Sequence, residues 1–154
     1  MPLPAGYRLS FEPAQMQLDV IHGYLCRSYW SPGIPRHAVA KAVANSLVVG
    51  AFGPGGEQVG FARMVTDHVS FGYLADVFVL EEHRGRRLGH AMVQALLGLP
   101  EVRHFRTLLL LTRDAHSIYA DCGFQRVEDP APFMQLRRPG TYPPPGPEDQ
   151  PSGA

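Results

Sequence analysis

The sequence predicts a single mixed α/β domain, and three observations carry that prediction. Strand-length apolar runs and helical stripes are mixed along the chain, in the order strand, two helices, three strands, helix, strand, helix and then one or two strands. A dense Arg/Gly loop falls between a strand and a helix. The chain has 154 residues, 45% of them hydrophobic, which suits one core and is too apolar for a disordered chain.

The elements follow in order. Tyr7 to Phe11 alternates as a half-buried strand does, and Leu18, Ile21, His22 and Leu25 recur at helical spacing within a helix expected from Ala14 to about Tyr29. Ser31 to Pro35 is turn chemistry, and Ala38, Val39, Ala42 and Val43 give a second, short helix that starts near Pro35 or Arg36. Leu47–Phe52 reads as a buried strand, joined through Gly53-Pro54-Gly55-Gly56 to a partner strand from Gln58 to Val65. A third strand, Tyr73 to Leu80, runs up to the basic loop, after which Leu88, Met92, Val93, Leu96 and Leu97 form one helical stripe. Thr107–Thr112 suits a strand buried on both faces. Ala115–Cys122 is a short helix closed by Gly123, and Phe124–Val127 and Phe133–Leu136 are expected to complete the strand set. The expected domain spans residues 1–138. Residues 139–154, rich in proline and glycine, read as a disordered tail.

Composition narrows the function. The 14 basic and 14 acidic residues cancel, so no strong field favours nucleic acid. Lys41 is the only lysine. No window approaches the about 18 apolar residues of a membrane span, and no signal peptide is evident. Cys26 and Cys122 form neither a disulfide framework nor a zinc pattern, and no histidine spacing suits a metal. The expectation is a soluble cytoplasmic protein without metal, nucleic-acid partner or membrane contact.

The basic loop is the most informative segment. A strand ends, Arg84-Gly85-Arg86-Arg87 follows, and a helix begins with Leu88-Gly89-His90. Unpaired N–H groups and the helix dipole at such a junction favour an anion such as a pyrophosphate. The other reading is a solvated basic turn. The loop lacks the Lys-Ser/Thr ending of a Walker loop and the three spaced glycines of a dinucleotide fingerprint.

Val79-x-x-x-x-Arg84-Gly85-x-x-Leu88-Gly89 resembles the acetyl-CoA pyrophosphate loop of the GNAT N-acetyltransferases, whose core pattern is Arg/Gln-x-x-Gly-x-Gly/Ala. Ala115-x-x-x-Tyr119-x-x-x-Gly123-Phe124 is similar to the second signature of that family. The resemblance covers residues 7 to 136 in element order and rests on Asp76 to Phe124. Three positions depart from it: Arg87 stands at the central loop glycine, Glu81 at a common proline, and Thr112 at a frequent asparagine.

The resemblance implies a GNAT fold, a mostly antiparallel sheet splayed at the cofactor site and flanked by about four helices. It implies acetyl-CoA as co-substrate, bound by the backbone of Val77, Phe78 and Val79 and by the loop Arg84, Gly85, Arg86, Arg87, Leu88, Gly89 and His90. Tyr119 takes the place of the tyrosine that protonates the departing thiolate, and the alternative is a packing aromatic. Asp76 takes the place of the general base, and the alternative is a structural carboxylate paired with an arginine. His22 and His116 are further base candidates, and Cys122 has no base beside it in sequence. Tyr29 and Trp30, with Ile34, lie where the family's acceptor pocket often lies, to hold an amine or an apolar acceptor with Arg27 or Arg36 orienting a carboxylate, and the alternative is a hydrophobic lid over the core. The implied activity is acetyl transfer to a small-molecule or peptide amine by a monomer or homodimer. The alternatives are an acyl-CoA-binding or protein-interaction module that has lost transfer, motivated by Arg87, and a scaffold that dimerises through sheet edges.

Overall fold

The computed structural model describes residues 2–149. One five-stranded sheet runs in chain order: β1 (Arg8–Ser10), β2 (Leu47–Phe52), β3 (Gln58–Thr66), β4 (Phe71–Val79) and β5 (Thr107–Leu110). The first four strands pair antiparallel and β5 joins β4 in parallel. Four helices accompany it: α1 (Leu18–Leu25), α2 (Arg36–Ala44), α3 (Leu88–Leu97) and α4 (His116–Ala120).

Period-two alternation on β2, β3 and β4 sends apolar side chains to both faces, which is why these strands read as continuous apolar runs. On one face Val48, Phe61 and Phe78 pack with Ile21 and Leu25 of α1 and Val39 and Val43 of α2. On the other, Val49, Ala51, Ala62 and Met64 meet the α3 stripe of Leu88, Met92, Val93 and Leu96. Gly60 permits close approach of that helix, since a Cβ there would meet Met92 at 3.0 Å and the Phe78 carbonyl oxygen at 3.2 Å. Phe61 is wholly buried. Phe61→Ala is expected to cost about 3–5 kcal/mol of stability, measured by urea unfolding.

Two features of β4 position the site. Its pairing with β5 ends at Leu74 opposite Leu110, although β4 continues to Val79. The sheet therefore splays along the second half of β4. Against β3, Ala75 faces Arg63 and Phe78 faces Phe61, so β4 holds an extra residue between them. This bulge falls at Asp76, whose φ of 55° lies in the left-handed region. Aspartate enters that region more readily than most residues, and a bulge re-aims neighbouring groups.

Several expectations are corrected. Helix α1 is shorter than predicted because Pro13–Gln15 forms a separate 3-10 turn and the chain turns again at Arg27 to Gly33, where the Gly33 N–H donates to the Cys26 carbonyl. Phe124–Val127 and Phe133–Leu136 form no strand. Pro130 and Pro132 remove ladder donors between them, and Phe124 turns inward to meet Tyr119 edge-on at 6.2 Å. Phe133, Met134 and Leu136 are exposed. In the segment expected to be a disordered tail, the Tyr142 hydroxyl donates to the Pro32 carbonyl at 2.9 Å, and His37 Nε2 lies 2.9 Å from the Pro143 carbonyl. Residues 142–149 thus lie against α2 and the loop before it. Residues 150–154 of that expected tail lie outside the described residues. No helix among the described residues is long and apolar enough to cross a membrane.

Candidate active site

The loop between β4 and α3 begins with a 3-10 turn, Glu81–His83, and passes through two left-handed residues, Gly85 at φ 80° and Arg87 at φ 59°. Alternation of backbone hand turns successive N–H groups toward one side and makes an anion-binding concavity. From Gly85 to His90 the N–H groups make no hydrogen bond to another described residue, and the first intrahelical bond is Ala91 N–H to the Arg87 carbonyl. Six donors in sequence at the positive end of a ten-residue helix fit a pyrophosphate.

Two of the three arginine side chains of this loop are used elsewhere. Arg84 donates from Nε to the Val79 carbonyl and from a terminal nitrogen to the Tyr24 hydroxyl, each at 3.0 Å. Arg86 folds back on the Glu82 carbonyl at 3.0 Å. Arg87 takes the left-handed backbone that glycine usually supplies, and its charge is felt at the Cys122 thiol on the α4 side. That thiol is pushed up from its usual range, first by burial and then by Asp121, so it stays protonated and is a poor nucleophile.

A cleft of about 1570 Å³ opens beside this loop, between the α1–α2 segment, the splayed half of β4 and the start of α4. Asp76, Val77, Arg84, Tyr119, Tyr29 and Trp30, all named from sequence, line it together. Phe78 lies beneath, its buried ring stacked 4.0 Å from Tyr24. Tyr119 is half-buried on α4, and burial, reinforced by Tyr29, Cys122 and Asp114, pushes its hydroxyl up to about 12. Its phenol therefore stays neutral throughout the physiological range.

Both Asp76 oxygens hold donors. The Trp30 indole N–H reaches one at 2.8 Å and Arg63 Nε the other at 2.6 Å. Arg63 also donates to the Ser46 hydroxyl at 3.2 Å, which in turn bonds the Ala42 carbonyl. One carboxylate thus ties the α1–α2 segment to the middle of the sheet. His22 Nε2 lies 3.0 Å from the Ile34 carbonyl, and His116 is exposed at the start of α4. Arg36 pairs with Asp19 between the two helices, so of the two arginines named from sequence for a carboxylate, Arg27 alone lines the cleft. Among the described residues no group of histidine, cysteine or carboxylates could hold a metal ion.

The family model of the acetyltransferase (GNAT) domain matches residues 43–126, from the end of α2 through α4. The chain belongs to the GNAT acetyltransferases. It is 35% identical over 136 residues to a Gibberella zeae protein provisionally named an acetyltransferase, covering 73% of this chain and 75% of that one. A crystal structure from Xanthomonas campestris pv. campestris, described as belonging to the GNAT family, superposes with a TM-score of 0.86 at 37% identity, covering 92% of this chain and 99% of that chain. A structure from Deinococcus radiodurans R1 matches with a TM-score of 0.69 at 20% identity over 87% and 90% of the two chains, and shows the shared fold.

Within this GNAT fold, the departures from the family pattern have local explanations. Glu81 opens the 3-10 turn, and the Thr112 hydroxyl accepts the Ala115 N–H at 3.0 Å just before α4. Sequence reasoning missed Arg63, Tyr24, Arg113, Asp114 and Arg137, all of which line the cleft. The arginine-aspartate alternative for Asp76 was the available signal for Arg63. The other four come together only through folding.

Proposed function

We propose that this protein transfers the acetyl group of acetyl-CoA to a primary amine by direct attack within a ternary complex. The observation that carries the reading is the run of six free N–H groups, Gly85 to His90, beside the half of β4 that β5 leaves unpaired. The loop would hold the pyrophosphate, and the backbone of Val77, Phe78 and Val79 would align the pantetheine arm. Acetyl-CoA, when bound, supplies an acyl group activated as a thioester. An N–H of the β4 bulge would donate to the thioester oxygen as charge develops there. Tyr119 would donate its proton to the departing sulfur, and the proton shed by the newly acylated nitrogen would restore the phenol. With both oxygens already holding donors, Asp76 orients Trp30 and the bulge, and the ammonium proton leaves to water through the open cleft. Positioning of two reactants supplies most of the rate.

The test is release of free coenzyme A thiol from acetyl-CoA in the presence of pooled amines. Amine-dependent release supports the reading. Binding of acetyl-CoA without release favours the module that has lost transfer. No binding at all removes the cofactor assignment. On binding, stability is expected to rise by about 2.7 kcal/mol at a hundredfold excess over the dissociation constant, seen as a higher Tm.

A pH dependence follows from Tyr119. Its raised value favours the protonated phenol, which is retained below the ordinary tyrosine value and lost as pH climbs toward about 12. The transfer rate is therefore expected to show no falling alkaline limb between about pH 8 and about pH 10. A limb there that vanishes in Tyr119→Phe would mean the hydroxyl titrates in its ordinary range.

A further inference from the structure

We propose that the acceptor is a small amine that carries an anionic group, a carboxylate or a phosphate, recognised by Arg113 together with Arg27 and Arg137; this rests on the acetyl-transfer reading above. All three arginines line the cleft that holds Tyr119. The Arg113 guanidinium carbon sits 3.7 Å over the Tyr29 ring centroid. Stacking of this kind engages the guanidinium face and leaves the edge, where its donors lie, free for a planar or tetrahedral anion. Among the described residues, Arg113 and Arg137 make no hydrogen bond or ion pair. Arg27 spends only Nε, on the Gly23 carbonyl at 2.7 Å, and keeps its terminal nitrogens.

The acids of the cleft do not cancel this charge. Asp76 is neutralised by Arg63 at 2.6 Å. Glu81 and Glu82 line the same cleft from the turn before the loop, where Arg84 also lies. Asp114 remains, next to Arg113 in the chain, and its charge is felt at the Tyr119 hydroxyl. The acceptor end thus offers three cationic donors for an anion and one carboxylate, beside the proton donor, for an ammonium. Five arginines and four acids line the cleft as a whole, so a polyamine or basic peptide gains no net attraction here. An amine with its own anion finds both partners.

The experiment compares matched acceptors: O-phosphoethanolamine with ethanolamine, and β-alanine with its amide, with spermidine as the cationic control. Expected is at least a tenfold higher kcat/KM for one anionic member over its neutral partner, and the pair that shows it identifies phosphate or carboxylate. Arg113→Met, which keeps an apolar contact on Tyr29, is expected to raise KM for that amine about 10- to 100-fold and abolish the preference, with acetyl-CoA affinity held within about twofold. Two results overturn the proposal while leaving acetyl transfer intact: preference for neutral or polycationic amines, or weakened acetyl-CoA binding in Arg113→Met, which would assign the arginine to the cofactor. Should that variant fail to fold, the wild-type comparison and Arg137→Met still decide. Failure of acetyl-CoA to bind the wild type overturns both readings together.

Discussion

Tyr119→Phe is expected to lower turnover by about 10²- to 10⁴-fold, the usual worth of one acid–base group, with the acetyl-CoA dissociation constant nearly unchanged. The hydroxyl acts as the sulfur leaves, so its removal weakens the transition state and spares the ground state. Its ring packs edge-on to Phe124 and touches the core beneath α3, and phenylalanine preserves those contacts. A Tm within a few degrees of wild type makes the rate comparison valid. Wild-type turnover in the variant would make Tyr119 a packing residue and leave protonation of the thiolate to water.

The second large effect is expected on stability. Arg63 and Asp76 form a pair whose side chains are only 19% and 8% exposed. Removing one partner leaves the other charge buried and unpaired, so Asp76→Ala is expected to cost about 3–5 kcal/mol in denaturant unfolding. A loss below about 1 kcal/mol would mean water replaces the partner. Asp76→Asn separates positioning from base catalysis. As a positioning residue, Asp76 leaves the acidic limb of the pH–rate profile in place when changed to asparagine, while the variant loses rate through a displaced Trp30. As the general base, it takes that limb with it.

These residues show how far the sequence could be followed. The loop at the head of α3 was legible because its geometry is local: a strand, two glycines and a helix start within a few positions, and the N–H groups of Gly85 to His90 need no distant partner to be left free. Strands β2 to β4 were legible because both faces are covered, which makes their apolar runs continuous. The last two expected strands failed because alternation over four residues is a weak signal beside two nearby prolines. The conformation of Arg87 was hidden, since glycine is the residue that announces a left-handed φ. Asp76 could be placed on β4 but not paired. Its contact with Arg63 depends on the bulge that sets Ala75 opposite Arg63, and its contact with Trp30 on how α1 ends. The place of Arg113 and Arg137 in the cleft was hidden for the same reason. Arg113 reaches Tyr29 from the far side of the cleft, and no spacing in the chain encodes that meeting.

In the proposed function, the loop at the head of α3 and the half of β4 that β5 leaves free together hold acetyl-CoA. The most direct measurement is titration of isotopically labelled protein with acetyl-CoA, followed through its backbone amide resonances. The largest shifts are expected on Gly85 to His90 and on Asp76 to Val79, with smaller ones near Tyr119, and free coenzyme A is expected to move the same loop amides. Saturating acetyl-CoA that leaves those amides unmoved, or that shifts another face of the protein, would contradict that reading.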